Sequence, residues 1–157
     1  RQVGFSHLVA YRALHRALFQ QGSNTLLVSQ GQEESGDLLE KARLLHGVQP
    51  PHLSTPVGKN NESEFELPRR QSKILALPST PGAGRGSTSS EVVYDEHAHH
   101  KYAEENWASI LPTLSENAQI VVASTAKGVG NQFWKVWKES GGMAAPARSW
   151  FLRRQSR

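Results

Sequence analysis

Between residues 6 and 19 apolar side chains return at helical spacing, at Leu8, Val9, Tyr11, Leu14, Ala17 and Leu18, with Ser6 placed as an N-cap and Gly22 as a stop. Residues 25–28 are a short unbroken apolar and β-branched run, the pattern of a strand buried on both faces of a parallel sheet. An amphipathic helix is expected over 33–46, where Leu38, Leu39, Ala42 and Leu45 oppose Glu34, Glu40, Lys41 and Arg43 and Gly47 ends the pattern. Residues 64–67 and 73–77, separated by Pro-Arg-Arg-Gln-Ser, form a hairpin or two short edge strands. A strand at 91–94, a helix at 104–114, a strand at 119–123 and a helix at 129–139 with Phe133, Trp134 and Trp137 complete the series.

Strands that alternate with helices predict an α/β domain with a largely parallel sheet. The Gly-, Ser-, Thr- and Pro-rich stretch 78–90 lies closely between buried-looking strands, so a functional loop is expected there rather than a linker. From Gly141 onward neither period is present, which divides the chain into a domain at 1–140 and an irregular basic tail at 141–157.

Composition narrows the class. The chain of 157 residues has 37% hydrophobic and 20% charged residues, and no apolar run approaches the roughly 20 residues that span a bilayer, so no membrane role is expected. It holds no cysteine, which excludes disulfide scaffolds, thiolate metal sites and cysteine nucleophiles together. The net charge of +4 suggests nucleic acid until it is located. Residues 1–143 carry 14 Lys and Arg against 14 Asp and Glu, and the excess is Arg148, Arg153, Arg154 and Arg157 in the tail. The charge therefore says little about DNA.

Candidate chemistry begins at Glu91-Val92-Val93-Tyr94-Asp95-Glu96. An apolar strand that ends in two acids can direct Asp95 to a magnesium shell and Glu96 to the water attacking a γ-phosphate. Gly4 and Ser6, opening a helix, fit the last glycine and the hydroxyl of a phosphate loop, although Phe5 stands at the usual lysine position. Ser124-Thr125 sit at the tip of the next strand, where hydroxyls can sense the γ-phosphate. In His97-Ala98-His99-His100 two imidazoles could start a zinc site, but zinc requires further convergent ligands, so packing or solvation is the expected role. Trp134 and Trp137, three apart on an amphipathic helix, are expected to pack rather than stack on bases.

Taken together and in order, these segments resemble the ATPase domain of the large terminase subunit, the DNA-packaging motor of tailed bacteriophages. Arg1-Gln2-Val3-Gly4-Phe5-Ser6 matches that family's deviant phosphate loop, in which an earlier basic residue takes the lysine role. Leu26-Leu27-Val28-Ser29-Gln30, Gly84-Arg85-Gly86-Ser87-Thr88, Asp95-Glu96-His97-Ala98 and Ser124-Thr125-Ala126-Lys127-Gly128 with Gly130-Asn131 are similar to its further motifs. The resemblance covers residues 1 to about 140. Ala126 departs from the common proline, and the segment after Gly142 has no counterpart.

The resemblance implies a three-layer, P-loop NTPase-type fold, incomplete at both ends, that binds ATP and Mg2+. Arg1, Gln2, Gly4 and Ser6 would hold nucleotide, Ser6 and Asp95 the metal, and Glu96 the water, while Arg85 is a candidate arginine finger acting in trans. Ser124 and Thr125 would couple hydrolysis to movement. It further implies a homo-oligomeric ring working with double-stranded DNA, the portal protein and the small terminase subunit, in the cytoplasm of a bacterial host as a phage or prophage product. The chain starts without methionine, directly before a helix, so an internal fragment is expected, inactive alone and without the nuclease domain. A helicase-like P-loop ATPase and a non-enzymatic prophage remnant are the alternatives.

Overall fold

The computed structural model describes residues 4–140 and the backbone of residues 150–154. A seven-stranded sheet runs through the middle, in the order β2-β3-β4-β1-β5-β6-β7. Its strands are β1 (Asn24–Ser29), β2 (Asn60–Asn61), β3 (Glu64–Leu67), β4 (Ser72–Pro78), β5 (Ser89–Tyr94), β6 (Leu114–Ala123) and β7 (Trp150–Arg154). The four central strands β4, β1, β5 and β6 are parallel, with Leu27 of β1 opposite both Ala76 and Val93. The outer strands β2, β3 and β7 pair antiparallel. The largely parallel sheet expected from the sequence is what the chain builds.

Among the described residues four α-helices cover the two faces: α1 (Phe5–Phe19), α2 (Gln32–Gly47), α3 (Ala103–Ile110) and α4 (Gln132–Glu139). Because strand side chains alternate, each central strand supplies both layers. Leu27, Ile74, Ala76, Val93 and Val121 pack with Val9, Leu14, Leu38 and Leu39 of α1 and α2. Leu26, Val28, Val92, Tyr94, Ile120 and Val122 pack with Ile110, Phe133 and Val136 of α3 and α4. A strand buried on both faces reads as an unbroken apolar run, and β1 has that pattern because neither side of it meets water.

The boundaries differ from expectation in places that have local causes. Ser6 does not cap α1: Gly4 is the N-cap and lies in the left-handed region (φ 69°), which favours glycine. β4 is an interior strand, because the hairpin with β3 leaves its other side free to pair with β1. α3 stops at Ile110, where a tight turn containing Pro112 follows, and β6 starts at Leu114 rather than near residue 119. α4 begins only at Gln132, where the Asn131 side chain accepts a 2.9 Å bond from the Trp134 amide. The tail at 141–157, expected to be irregular, contributes β7: the exposed edge of β6 offers unpaired backbone groups, and Trp150–Arg154 pairs with Gln119–Ala123. The rest of that tail, with residues 1–3, lies outside the described residues.

Connections decide where a ligand can sit. From β1 the chain passes through α2, on one face, to β4 on one side. From β5 it passes through α3, on the opposite face, to β6 on the other side. The direction therefore reverses between β1 and β5, and open α/β sheets bind ligands in the crevice outside the carboxyl ends of strands at such a reversal. No helix of the described residues is long and apolar enough to cross a membrane.

Candidate active site at the carboxyl ends of the parallel strands

β5 carries Asp95 and Glu96 out of the sheet at this crevice. The Asp95 amide still donates to the Val28 carbonyl of β1 at 2.9 Å, so Asp95 is held at the last rung of the ladder. Glu96 then turns into the left-handed region (φ 51°), unusual for a residue with a side chain, and a tight turn over His97–His99 follows. The kink separates two acids that are adjacent in sequence.

Glu96 turns toward β6. Its Oε2 accepts two bonds from Thr125, one from the amide at 3.1 Å and one from the hydroxyl at 3.0 Å. Ser124 holds the same loop from beneath, accepting from the Ala98 amide at 2.9 Å and donating to the Thr125 carbonyl. Glu96, Ser124 and Thr125, from two separate motifs of the sequence, are thus one hydrogen-bonded group beside Asp95, because β5 and β6 are parallel neighbours that end together.

Burial pushes the Asp95 carboxyl above the usual carboxylate range, and the Glu96 charge adds to this. The Glu96 amide and the Lys41 charge pull the other way without reversing it. A half-buried oxygen donor under such strain is well matched to a hard divalent cation, whose charge would offset the repulsion. Among the described residues no three His, Asp or Glu side chains form a metal-binding group. Mg2+ does not require one, since it commonly takes one or two protein oxygens together with phosphates and waters.

The remaining candidates are more dispersed. α1 (about 22 Å of helix) returns antiparallel to β1 (about 20 Å of strand), so Gly4 and Ser6 lie toward the same carboxyl edge as Asp95. Arg1 and Gln2 lie outside the described residues. Arg85 is exposed on the loop that crosses the α3 face between β4 and β5. That loop is held by Asn106 on the Thr80 carbonyl and Ser109 on the Ala83 carbonyl. Gly84 (φ 80°) lets it descend onto the helix, since a Cβ there would lie 2.8 Å from Ile110 Cγ1. Thr88, three residues beyond Arg85, is bonded to Asn24 at the opposite end of β1, about 17 Å of strand from Ser29.

The histidines divide by role. His97 is fully buried, its ring 4.7 Å from that of Tyr94 and 5.8 Å from that of Trp107, which is the packing role. Burial pushes its imidazole down to about 3. His100 is buried too and its Nε2 bonds the Asp95 carbonyl at 2.8 Å. His99 is half-exposed and its Nε2 lies 3.0 Å from the Thr125 hydroxyl, a contact that sequence spacing did not reveal. Also missed was Glu91, fully buried, with Arg12 Nε at 2.5 Å and Arg16 Nε at 3.7 Å, both arginines also bonding Gln119. The signal was present: an acid inside an apolar strand needs a partner, and two arginines four apart share one helix face.

No protein-family model matches the chain. The large terminase ATPase domain of Thermus phage P74-26 superposes with a TM-score of 0.60 at 21% identity, over 83% of this chain and 58% of that one. A variant of the same domain gives 0.62 at 21% identity, over 87% and 61%. The large terminase of bacteriophage HK97 gives 0.72 at 15% identity, over 90% of this chain and 31% of that one. The chain thus spans less than two thirds of each of these proteins, and at these identities the likeness is one of fold: the P-loop-type three-layer fold of large-terminase ATPase domains.

Proposed function

We propose that these residues form part of the ATP-hydrolysing motor domain of a phage large terminase subunit. The observation that carries this reading is the bond between Glu96, at the end of β5, and Thr125, at the end of β6, within a fold shared with large-terminase ATPase domains. An acid placed to activate water is thereby tied to the strand that would report its state.

In this reading Asp95 and Ser6 supply oxygens to Mg2+, which when bound neutralises phosphate charge. Backbone amides around Gly4 hold phosphate at the start of α1, together with Arg1 and Gln2. Glu96 orients the attacking water. That role requires its carboxylate to face the γ-phosphate, so its grip on Thr125 must differ between nucleotide states. Only such a differential contact lets hydrolysis shift the β6 end and, through it, the parts that grip DNA. Arg85, exposed on the loop between β4 and β5, serves a neighbouring subunit's nucleotide in a ring.

The remaining assignments follow from the same reading. Double-stranded DNA, the portal protein and the small terminase subunit are the partners, in the cytoplasm of a bacterial host. The 157 residues span 61% or less of the matched proteins, and turnover is assigned to the full-length subunit. By themselves they are expected to show no measurable ATP hydrolysis, and robust magnesium-dependent turnover by the isolated chain contradicts this.

The experiment is Glu96→Gln in the full-length subunit. Turnover should fall by about 10²- to 10⁴-fold while ATP affinity stays near wild type, because a water-orienting carboxylate acts mainly in the transition state. Equal loss of affinity and turnover would mean that Glu96 only supports the fold.

A further inference from the structure

We infer that His99 is a positioning residue for Glu96, acting through the Thr125 hydroxyl. The inference rests on the ATPase reading for its kinetic consequence and on geometry alone for its structural one. An ionised carboxylate only accepts, so the bond between Thr125 Oγ1 and Glu96 Oε2 uses the single hydroxyl proton. Toward His99, 3.0 Å away, the same oxygen can then only accept. His99 must therefore carry a proton on Nε2.

The chain closes this arrangement into a ring. The His99 amide donates to the Glu96 carbonyl at 2.9 Å, fixing the two residues across the tight turn. The His99 ring reaches Thr125, Thr125 returns to Glu96, and His99 Nε2 lies 3.9 Å from Glu96 Oε2. Without the imidazole donor the Thr125 hydroxyl is free to rotate toward solvent, since His99 and Glu96 are both partly exposed (34% and 45% of their side chains). The carboxylate would then keep only the Thr125 amide. His99 thus sets the hydroxyl's direction and, with it, the carboxylate's rotamer.

Two readouts test this. In the 157-residue chain, nitrogen NMR of the His99 ring at mildly alkaline pH should show the proton on Nε2, with a mixture of tautomers appearing in Thr125→Val. A lone pair on Nε2 in the wild-type chain overturns the assignment. In the full-length subunit His99→Ala should lower kcat roughly three- to tenfold with KM for ATP little changed. His99→Gln, whose amide can donate from nearly the same place, should recover part of the loss. Combined with Thr125→Val, His99→Ala should add no further loss; strict additivity overturns the proposal. Wild-type protein without ATP turnover overturns the ATPase reading and the kinetic role together, whereas Nε2 without its proton overturns the His99 assignment while turnover stands.

Discussion

β5 has acids at both ends, and the fold treats them in opposite ways. At its start Glu91 is fully buried and neutralised from within by Arg12 and Arg16 of α1. At its end Asp95 and Glu96 are both half-buried, the Glu96 charge disfavours that of Asp95, Lys41 offsets this only in part, and His99 lies beside Glu96. A charge balanced inside the molecule is part of its architecture. Charges left without an internal counter-charge are where the proposed function brings in a cation.

The largest effect should come from Arg85, the cation proposed to reach the open end from a neighbouring subunit. Arg85→Ala in the full-length subunit should reduce turnover by about 10³- to 10⁵-fold. Mixed with Glu96→Gln, itself inactive, it should regain activity at interfaces where an intact Arg85 faces an intact Glu96. No recovery in proven mixed rings leaves Arg85 as a loop or DNA-phosphate contact.

At the closed end the lesion should be in stability. Glu91→Ala leaves two arginines without their buried partner and should destabilise the domain by about 3 to 5 kcal/mol, seen as a lower denaturation midpoint. If Glu91→Ala instead weakens ATP binding at unchanged stability, the two ends of β5 are not divided between architecture and ligand binding.

A smaller effect sharpens the contrast through His97. In the unfolded chain its imidazole takes up a proton near its ordinary value of 6.5, whereas burial holds it neutral in the fold down to about 3. The unfolded state binds more protons in that window, so stability should fall as pH drops from about 6.5 toward about 3, by at most about 1.4 kcal/mol per unit, and level off below. His100, shifted in the same direction by burial, adds to the slope. His97→Phe should flatten it, and an unchanged slope in that variant assigns the effect elsewhere.

The two ends of β5 were not equally legible. The Asp-Glu pair and the Ser-Thr pair stand at the ends of short apolar runs, and strand ends are where a two-residue period stops, so their positions could be read from pattern alone. That β5 and β6 are neighbours, and that Glu96 bends through a left-handed turn to reach Thr125, depends on pairing across 29 residues, which no local period encodes. The Arg12–Glu91 pair spans 79 residues and was hidden in the same way. The helix boundaries at Gln132 and Gly4 were displaced for the opposite reason: capping by Asn131 and the left-handed Gly4 act over one or two residues and override a broader apolar pattern.

The open end of β5 is tested most directly by ATP binding to the full-length subunit, measured by calorimetry with Mg2+ and with chelator, in wild type and in Asp95→Ala. A metal held by Asp95 predicts that wild-type affinity depends on Mg2+ and that Asp95→Ala loses that dependence along with affinity, at unchanged thermal stability. Wild-type and Asp95→Ala proteins that bind ATP equally, with and without the metal, would contradict it.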